Sequence, residues 1–364
     1  MIKRLKQFTI KMVAGANMAL VLIMLAVGFS DRLNPADHPV LSCVGMTFPI
    51  LLLINLCFLF FWLTFKWRMV WIPILGYVAT YIPISTYMPL NMQFTDPDEG
   101  AIKLISYNVC TYGGNYKYED GFGTVCQYLH EEQPDIVCLQ EDVDTWRRYA
   151  FKEFQKTFAY NDTVHFNPGP AINGVGIHTK FPIIRKERIN YRSEANGSVA
   201  WYLQVGNDTL LVINNHFEGT HLSTEDRHNY QNIIKGNIKG QEAKHESKKL
   251  LITLAESSAR RAPQIDAVCQ YVEEHKQYPI ILCGDFNDNP ISYSRHKVST
   301  VLKDCFTTTG KGLGWSYNQK GFYFRIDHIF CSNDIQPYNC KIDNKIDASD
   351  HYPIVCWLKI NGKP

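Results

Sequence analysis

The run Ile280–Pro290, Ile-Ile-Leu-Cys-Gly-Asp-Phe-Asn-Asp-Asn-Pro, closes an apolar stretch on two groups able to hold a water or a metal, Asp285 and Asn287. In extended chain, residues two apart project to the same side, so this carboxylate and amide converge on one spot. Open α/β sheets collect their chemistry at such carboxyl edges. Alone, the run reads equally well as a strand followed by an Asp/Asn turn. Its company argues otherwise. Asn108, Glu141, His216, Asp327 and the pair Asp350-His351 each stand at or near the end of another apolar run. Each has a bland alternative. Asn108 is a turn residue, Glu141 lies where a helix N-terminus favours an acid, His216 bonds within a loop, and Asp350-His351 makes a turn ahead of Pro353. Singly these alternatives prevail; six strand ends finishing together in oxygen or imidazole donors do not fit them.

Glu141, Asn108 and Asp350 are hard oxygen donors with no Cys among them. Such a set suits Mg²⁺ or Mn²⁺, which keep several waters and lean on one or two carboxylates plus a substrate phosphate. Asp285 with Asn287 can deprotonate and aim a water. His351 can stabilise charge developing at phosphorus or move a proton, with Asp327 orienting its imidazole. His216 is a second candidate acid for the leaving oxygen. Together they describe metal-assisted attack of water on a phosphoester, where catalysis is positioning plus electrostatic stabilisation. His221, His228 and His245 read as polar insert residues without a role.

The elements that must position these groups follow from the pattern of apolar residues. Ala101–Val109 is a strand ending in Ser106-Tyr107-Asn108, and Asp135–Leu139 another closing on Gln140-Glu141. A helix over Glu119–Gln133 lies between them, with Phe122, Val125 and Leu129 on one face. A Trp/Arg-rich helix over Asp144–Phe158 and a strand over Gly174–Thr179 follow. Ser198–Val205 and Thr209–Asn214 form a hairpin around Gly206-Asn207-Asp208. A helix over Ser258–His275 feeds the strand at Ile280, and a further helix covers Ser292–Leu302. Phe322–Phe330 is a strand carrying Arg325-Ile326-Asp327-His328, and Ile354–Ile360 is the last. Thr220–Ser258 is polar and mixed in charge, the pattern of a solvated helical face.

A chain of 364 residues predicts two or three units. The net charge of +2 conceals a sharp division, since residues 1–90 are overwhelmingly apolar and those after Asp96 have globular composition. Met12–Phe29 and Val44–Phe65 are uncharged apolar runs, and Met69–Leu90 is a third, interrupted by Pro73, Pro83 and Pro89. Each is long enough to cross a hydrocarbon core of about 30 Å as a helix. A cleaved signal peptide accounts for the first run only. Residues 1–95 are thus expected to be a membrane anchor of three spans, at 12–29, 44–65 and 69–90. The eleven Cys show no CxxC pair or zinc-ligand spacing, and several lie in apolar runs, so no disulfide framework is expected.

The ordered set Ser106-Tyr107-Asn108-Val109, Asp135 to Glu141, Asn214-Asn215-His216, Gly284-Asp285-Phe286-Asn287, Arg325-Ile326-Asp327-His328-Ile329 and Ser349-Asp350-His351-Tyr352-Pro353 closely resembles the endonuclease/exonuclease/phosphatase superfamily of Mg²⁺-dependent phosphoesterases. The resemblance covers about residues 101–361. It implies a four-layer α/β/β/α sandwich, two mixed β-sheets packed face to face with helices outside, preceded here by the transmembrane helical region. It also implies Glu141 as principal metal ligand with Asn108 and Asp350 close by, Asp285 as base with Asn287 as its partner, Asp327 supporting His351, and His216 as second catalytic histidine. Where apurinic-site endonucleases carry a Tyr motif, this chain has Asn215-His216. That version is similar to the branch of deoxyribonuclease I-like nucleases, neutral sphingomyelinases and inositol-phosphate phosphatases. The expected activity is that of a membrane-anchored phosphodiesterase or phosphatase. Its substrate is a lipid head group, an inositol phosphate or a nucleic acid, with membrane tethering favouring lipid. The expected partners are that substrate and the lipid bilayer, with no protein partner. An endo- or exonuclease on DNA or RNA, and an inactive binding domain on the same fold, are the alternatives. A duplex nuclease calls for a basic surface that near-neutral composition does not display.

Lys3, Arg4, Lys6 and Lys11 precede the first apolar run, Lys66 and Arg68 fill the turn after the second, and Asp96, Asp98 and Glu99 follow the third. Positive-inside bias places the amino terminus in the cytoplasm and the large domain outside, as an integral protein of a plasma or inner membrane. A reporter fused after Gly100 that requires the cytoplasm is expected to be silent; an active one overturns this orientation.

Overall fold

The computed structural model describes residues 2–92, 95–113, 121–142, 152–166, 173–319 and 322–361. Most of the helix expected over Asp144–Phe158 lies outside the described residues. Strand alternation builds the core. In β1 (Ile102–Asn108) Ile102 and Leu104 point to one side, with Ile136 and Cys138 of β2 (Ile136–Gln140). Ile105 and Tyr107 point to the other, with Val137 and Leu139. A period of two with both faces apolar is what a sheet covered on both sides requires.

The first sheet runs β13-β14-β1-β2-β4-β3, adding β3 (Tyr160–His165), β4 (Gly174–Thr179), β13 (Ile335–Ile342) and β14 (Ile354–Ile360). The second runs β5-β6-β7-β8-β12-β9, from β5 (Ile183–Ile189), β6 (Gly197–Val205), β7 (Asp208–His216), β8 (Ile280–Asp285), β9 (Lys303–Asp304) and β12 (Asp327–Cys331). Each sheet has one parallel pair at its centre, β1 with β2 and β7 with β8. Their inner faces meet through Leu104, Ile136, Cys138, Val175, Trp201, Val212, Ile281 and Ile329, all buried. The helix Gly121–Glu132 sets Phe122, Val125 and Leu129 on the outer face of the first sheet. The helix Gly240–Glu274 sets Ile265, Val268, Cys269 and Val272 on the outer face of the second. The architecture is the four-layer α/β/β/α sandwich with two mixed sheets. The eleven cysteines form no disulfide.

Three departures from the sequence pattern have local causes. The strand expected across Phe322–Phe330 is split: β11 (Phe322–Phe324) pairs with β10 (Tyr317–Gln319) in a separate hairpin, and only β12 (Asp327–Cys331) joins the second sheet. The break is held by Ser316, whose Oγ accepts from both Ile326 N and Asp327 N at 3.0 and 3.1 Å. The helix expected from Ser258 begins instead at Gly240, because Lys, Glu, Ala and Leu of the polar stretch propagate it. Strands β3, β5 and β13 carry little alternation because they occupy or adjoin sheet edges. β5 exposes Ile184, Arg185, Lys186 and Arg188, and β13 contains Pro337 and a register shift after Tyr338.

The amino-terminal region contains two helices, Ile2–Gly28 and Phe48–Phe65, long and apolar enough to cross a membrane. A third, bent pair of Trp71–Ala79 and Tyr81–Tyr87 turns by 61° at its break. Asn17 and Asn55, both fully buried, join the three: Asn17 donates to Asn55 at 3.2 Å, Trp62 Nε1 donates to Asn17 at 3.0 Å, and Asn55 donates to the Pro73 carbonyl at 2.9 Å. The region is seated on the sandwich. Gly45 packs without room for a side chain against Ile291, Asp31 pairs with His296 at 3.6 Å, and Asn91 donates to the Thr307 and Gly310 carbonyls. Arg325, 1% exposed, donates from its guanidinium to the carbonyls of Thr86, Tyr87 and Leu313.

Arg325 therefore ties the end of the bent helix pair to the strand break beside Asp327. Arg325→Leu leaves those carbonyls without a charged donor, at a cost of about 3 kcal/mol. The expected result is a lower unfolding midpoint in detergent and faster proteolysis between the helical region and the sandwich; an unchanged midpoint would show that the tie contributes nothing.

Candidate active site

The site forms where β1, β2, β7 and β8 end together. Register alone assembles much of it: Asn108 lies opposite Gln140, His216 opposite Asp285, and Asp285 opposite Asp327. Gly284 allows this close pairing. Its φ is +133°, and a Cβ there would collide with the Asn215 carbonyl. Beneath lies a dry polar floor. Gln140 Nε2 donates to Asn214 Oδ1 at 2.7 Å, and Asn214 Nδ2 reaches the Leu139 and Gly176 carbonyls, both at 2.9 Å. These bonds cross from one sheet to the other and fix the sheets' relative position where the site sits.

Asn108 is the bridge above that floor. Its Nδ2 donates to Glu141 Oε1 at 3.1 Å and to Asp285 Oδ2 at 3.0 Å, joining carboxylates from the two sheets. Its Oδ1 accepts from Cys110 N at 3.0 Å, where the chain turns through left-handed residues Cys110, Thr111 and Tyr112. Glu141 and Asn287 also have left-handed backbones, with φ of +54° and +50°. Such strain is held only where surrounding bonds over-determine it, and it gathers at functional sites.

Asp285 is buried, and its Oδ1 accepts from Asn287 N at 2.8 Å. Burial raises its pKa, opposed by the neighbouring His351 and His216. The Asn287 contact thus comes from the backbone, while its side-chain amide donates to the Phe217 carbonyl at 3.1 Å. His351 Nδ1 is 2.8 Å from Asp327 Oδ2, and its Nε2 is 3.8 Å from Asp285 Oδ2. Burial pushes the His351 pKa down, but the carboxylates of Asp327 and Asp285 outweigh it and hold it at about 10. His216 Nε2 stands 3.8 Å from Asp285 Oδ2 and 4.0 Å from Glu141 Oε1. Ser349 Oγ donates to the Asn108 carbonyl at 2.7 Å, anchoring the segment that brings Asp350 and His351 to the same cavity as Glu141, Asp285 and Asn287.

All eight residues singled out in the sequence meet here. Two kinds of group are separated within the site. Glu141, its side chain 30% exposed against 2% for Asp285, opens to the cavity together with Asp350. These two offer the hard, accessible oxygens that a divalent cation needs. Asp285, Asp327 and His351 also have ligand atoms within 4.8 Å of one another, a spacing a metal could use. The short bond between His351 and Asp327 instead fits a proton-holding dyad.

Sequence patterning missed three contributors. Asn173, within a turn signal, meets His216 Nδ1 at 3.2 Å. Tyr317 packs edge-on to His351 with ring centroids 5.1 Å apart, and Arg227 Nη1 donates to its hydroxyl at 2.9 Å. Arg227 is one charge among many in the polar stretch and Tyr317 lies in a short hairpin, so no periodicity marks either.

Residues 105–351 match the model of the Endonuclease/Exonuclease/phosphatase family, and residues 10–87 match a domain of unknown function. No curated protein matches. Among solved structures, the chain is similar to the human nocturnin catalytic domain with bound sulfate, at 15% identity over 73% of this chain and 96% of that one, with a TM-score of 0.52. It is also similar to an endonuclease/exonuclease/phosphatase from Beutenbergia cavernae, at 14% identity over 72% of each chain, with a TM-score of 0.53. At these identities the likeness is one of fold.

In the metal-free protein His351 is expected to stay protonated through neutral pH. Its folded-state pKa of about 10 lies above the ordinary 6.5. The stability it contributes is therefore complete below about pH 6.5 and is lost as pH rises through 10. Asp327→Asn should bring the imidazole titration, followed by NMR, down toward neutrality and move that loss of stability to lower pH. A titration unaffected by the substitution removes Asp327 from this role.

Proposed function

Because the chain belongs to the endonuclease/exonuclease/phosphatase family, we propose that it is a divalent-metal-dependent phosphoester hydrolase tethered to a membrane by its first 95 residues. The observation that carries the reading is the Asn108 amide held between Glu141 and Asp285, with the His351–Asp327 dyad and His216 within about 4 Å of Asp285. Asp285 takes the proton of the attacking water, its raised pKa making it a stronger base than an exposed carboxylate. The Asn287 backbone N–H holds the other oxygen of that carboxyl in place. His351, kept cationic by Asp327, faces the charge that develops on the phosphoryl oxygens. His216, the histidine of the deoxyribonuclease I- and sphingomyelinase-like version of the motif, delivers a proton to the leaving oxygen. Glu141 and Asp350, with Asn108, would hold Mg²⁺ or Mn²⁺, which supplies charge neutralisation and polarisation of the phosphate when bound.

The membrane reading rests on two features. Most of the exposed large apolar side chains fall between Leu5 and Met92. The loop joining the first two long helices also contacts the sandwich through Asp31 and Gly45. Helix Phe48–Phe65 then carries the Lys66–Arg68 turn about 26 Å away at 1.5 Å per residue, and the bent pair returns the chain to the sandwich. Three crossings with Lys66 and Arg68 in the cytoplasm leave the catalytic unit outside.

The test is a panel of phospholipids, inositol phosphates, DNA, RNA and a chromogenic diester, incubated with the full chain in detergent. Chelation is expected to abolish turnover and Mg²⁺ or Mn²⁺ to restore it. Glu141→Gln, Asp285→Ala and His351→Ala should each lower kcat by roughly 10²- to 10⁴-fold. Turnover that survives chelation or both alanine changes would falsify this mechanism.

A further inference from the structure

The cavity over the catalytic groups extends well beyond them, and its other walls come from parts of the chain that play no part in the chemistry. Met46 enters from the loop between the first two long helices. Leu222, Leu250 and Leu254 enter from the polar stretch, folded as the helix Thr224–Ile234 and the first half of Gly240–Glu274. Phe324 and Ile326 flank the strand break. A stretch whose composition announces a solvated surface thus contributes Leu222, Leu250 and Leu254 to the cavity while leaving Leu251 and Ile252 exposed. We infer that the substrate is a membrane lipid phosphoester, with its phosphate at Glu141 and His351 and its aliphatic part in this apolar chamber. The inference rests on the phosphoesterase reading and deepens it.

Three observations carry it. The chamber is continuous with the catalytic groups, since Glu141, Asp285, Asp350 and His351 line the same cavity as the leucines. Cys43 and Met46, from the loop that joins two helices able to cross a membrane, are part of its lining, so in the proposed topology the chamber lies at head-group level. Arg227, also in the lining, reaches across from the insert to the hydroxyl of Tyr317, the residue packed on His351. That places a cation between the catalytic histidine and the apolar wall, where an anionic head group joins its tail. A nucleic acid backbone would need an open, basic track across the rim. Here the lining places Met46, Leu222, Leu250 and Leu254 beside the catalytic groups, with Arg227 and Arg261 as its only arginines among the described residues.

The test uses the full chain in nanodiscs with Mg²⁺ and a series of phosphodiesters sharing one head group, with acyl chains of two to eight carbons, each kept below its critical micelle concentration. Bis(p-nitrophenyl) phosphate and a single-stranded oligonucleotide are the comparators. Each methylene moved into an apolar site is worth about fourfold in binding, so kcat/KM is expected to rise at least tenfold along the series. Leu254→Glu and Leu250→Glu, checked for an unchanged unfolding midpoint, should flatten that rise. A flat series in the wild type, or faster cleavage of the oligonucleotide than of the longest lipid, overturns the chamber's role while leaving the phosphoesterase reading intact. No metal-dependent turnover of any substrate, the chromogenic diester included, sinks both.

Discussion

One side-chain amide has the rest of the site hung on it. Asn108 donates both its hydrogens to carboxylates, one to Glu141 at the end of the first sheet and one to Asp285 at the end of the second. Two acids brought so close would repel and take up protons unless donors or a cation stood between them. Asn108 can serve only if the sheets are in a fixed relation, and that relation is set below it by Gln140 and Asn214, buried and bonded across the interface. A small lateral slip of one sheet would leave these amides unsatisfied in a dry core, which is costly enough to forbid the slip. Precision at the site is thus a consequence of polar satisfaction beneath it.

The same economy links the site to the helical region. Asp327 can orient His351 because the chain breaks at Arg325 and Ile326 instead of continuing as one strand. Arg325, turned away from the site by that break, is solvated by the carbonyls of Thr86 and Tyr87. Burial, with the nearby Arg295 adding to it and Asp304 opposing it, lowers its pKa to about 10, so it remains charged at neutral pH and keeps those bonds strong. The residues that deliver Asp327 to the site therefore also seat the amino-terminal helices. Those helices in turn bring Met46 over the cavity, so the reach of the proposed membrane region extends to the substrate's surroundings.

Much of the site was legible in the sequence because its logic is local. Apolar runs of strand length were repeatedly bounded by Asn, Glu, His or Asp. Asn108, His216 and Asp285 close strands and Glu141 directly follows one, while Asp327 opens β12 and Asp350-His351 precede β14, both antiparallel to the strands beside them, so all fall at one edge. Asn108, Glu141, His216, Asp285, Asn287, Asp327, Asp350 and His351 all come together as that pattern implied. The sandwich was legible in the same way, through both-faced apolar strands alternating with helices. Edge strands β5 and β13 escaped because an edge is kept polar or interrupted, which erases the alternation that marks a strand.

The sequence by itself determined which polar groups gather at one site and that an apolar region precedes them, because residue type, period and strand end are properties of neighbouring residues. Only the tertiary structure decided that Asn287 holds Asp285 through its backbone, that Asn173 and Tyr317 stand beside the histidines, and that Leu222, Leu250 and Leu254 line the cavity. The physical reason is separation along the chain. Met46, Leu254 and Phe324 belong to three distant segments with unrelated local patterns, and a cavity is defined by what packs around it, which no single stretch records.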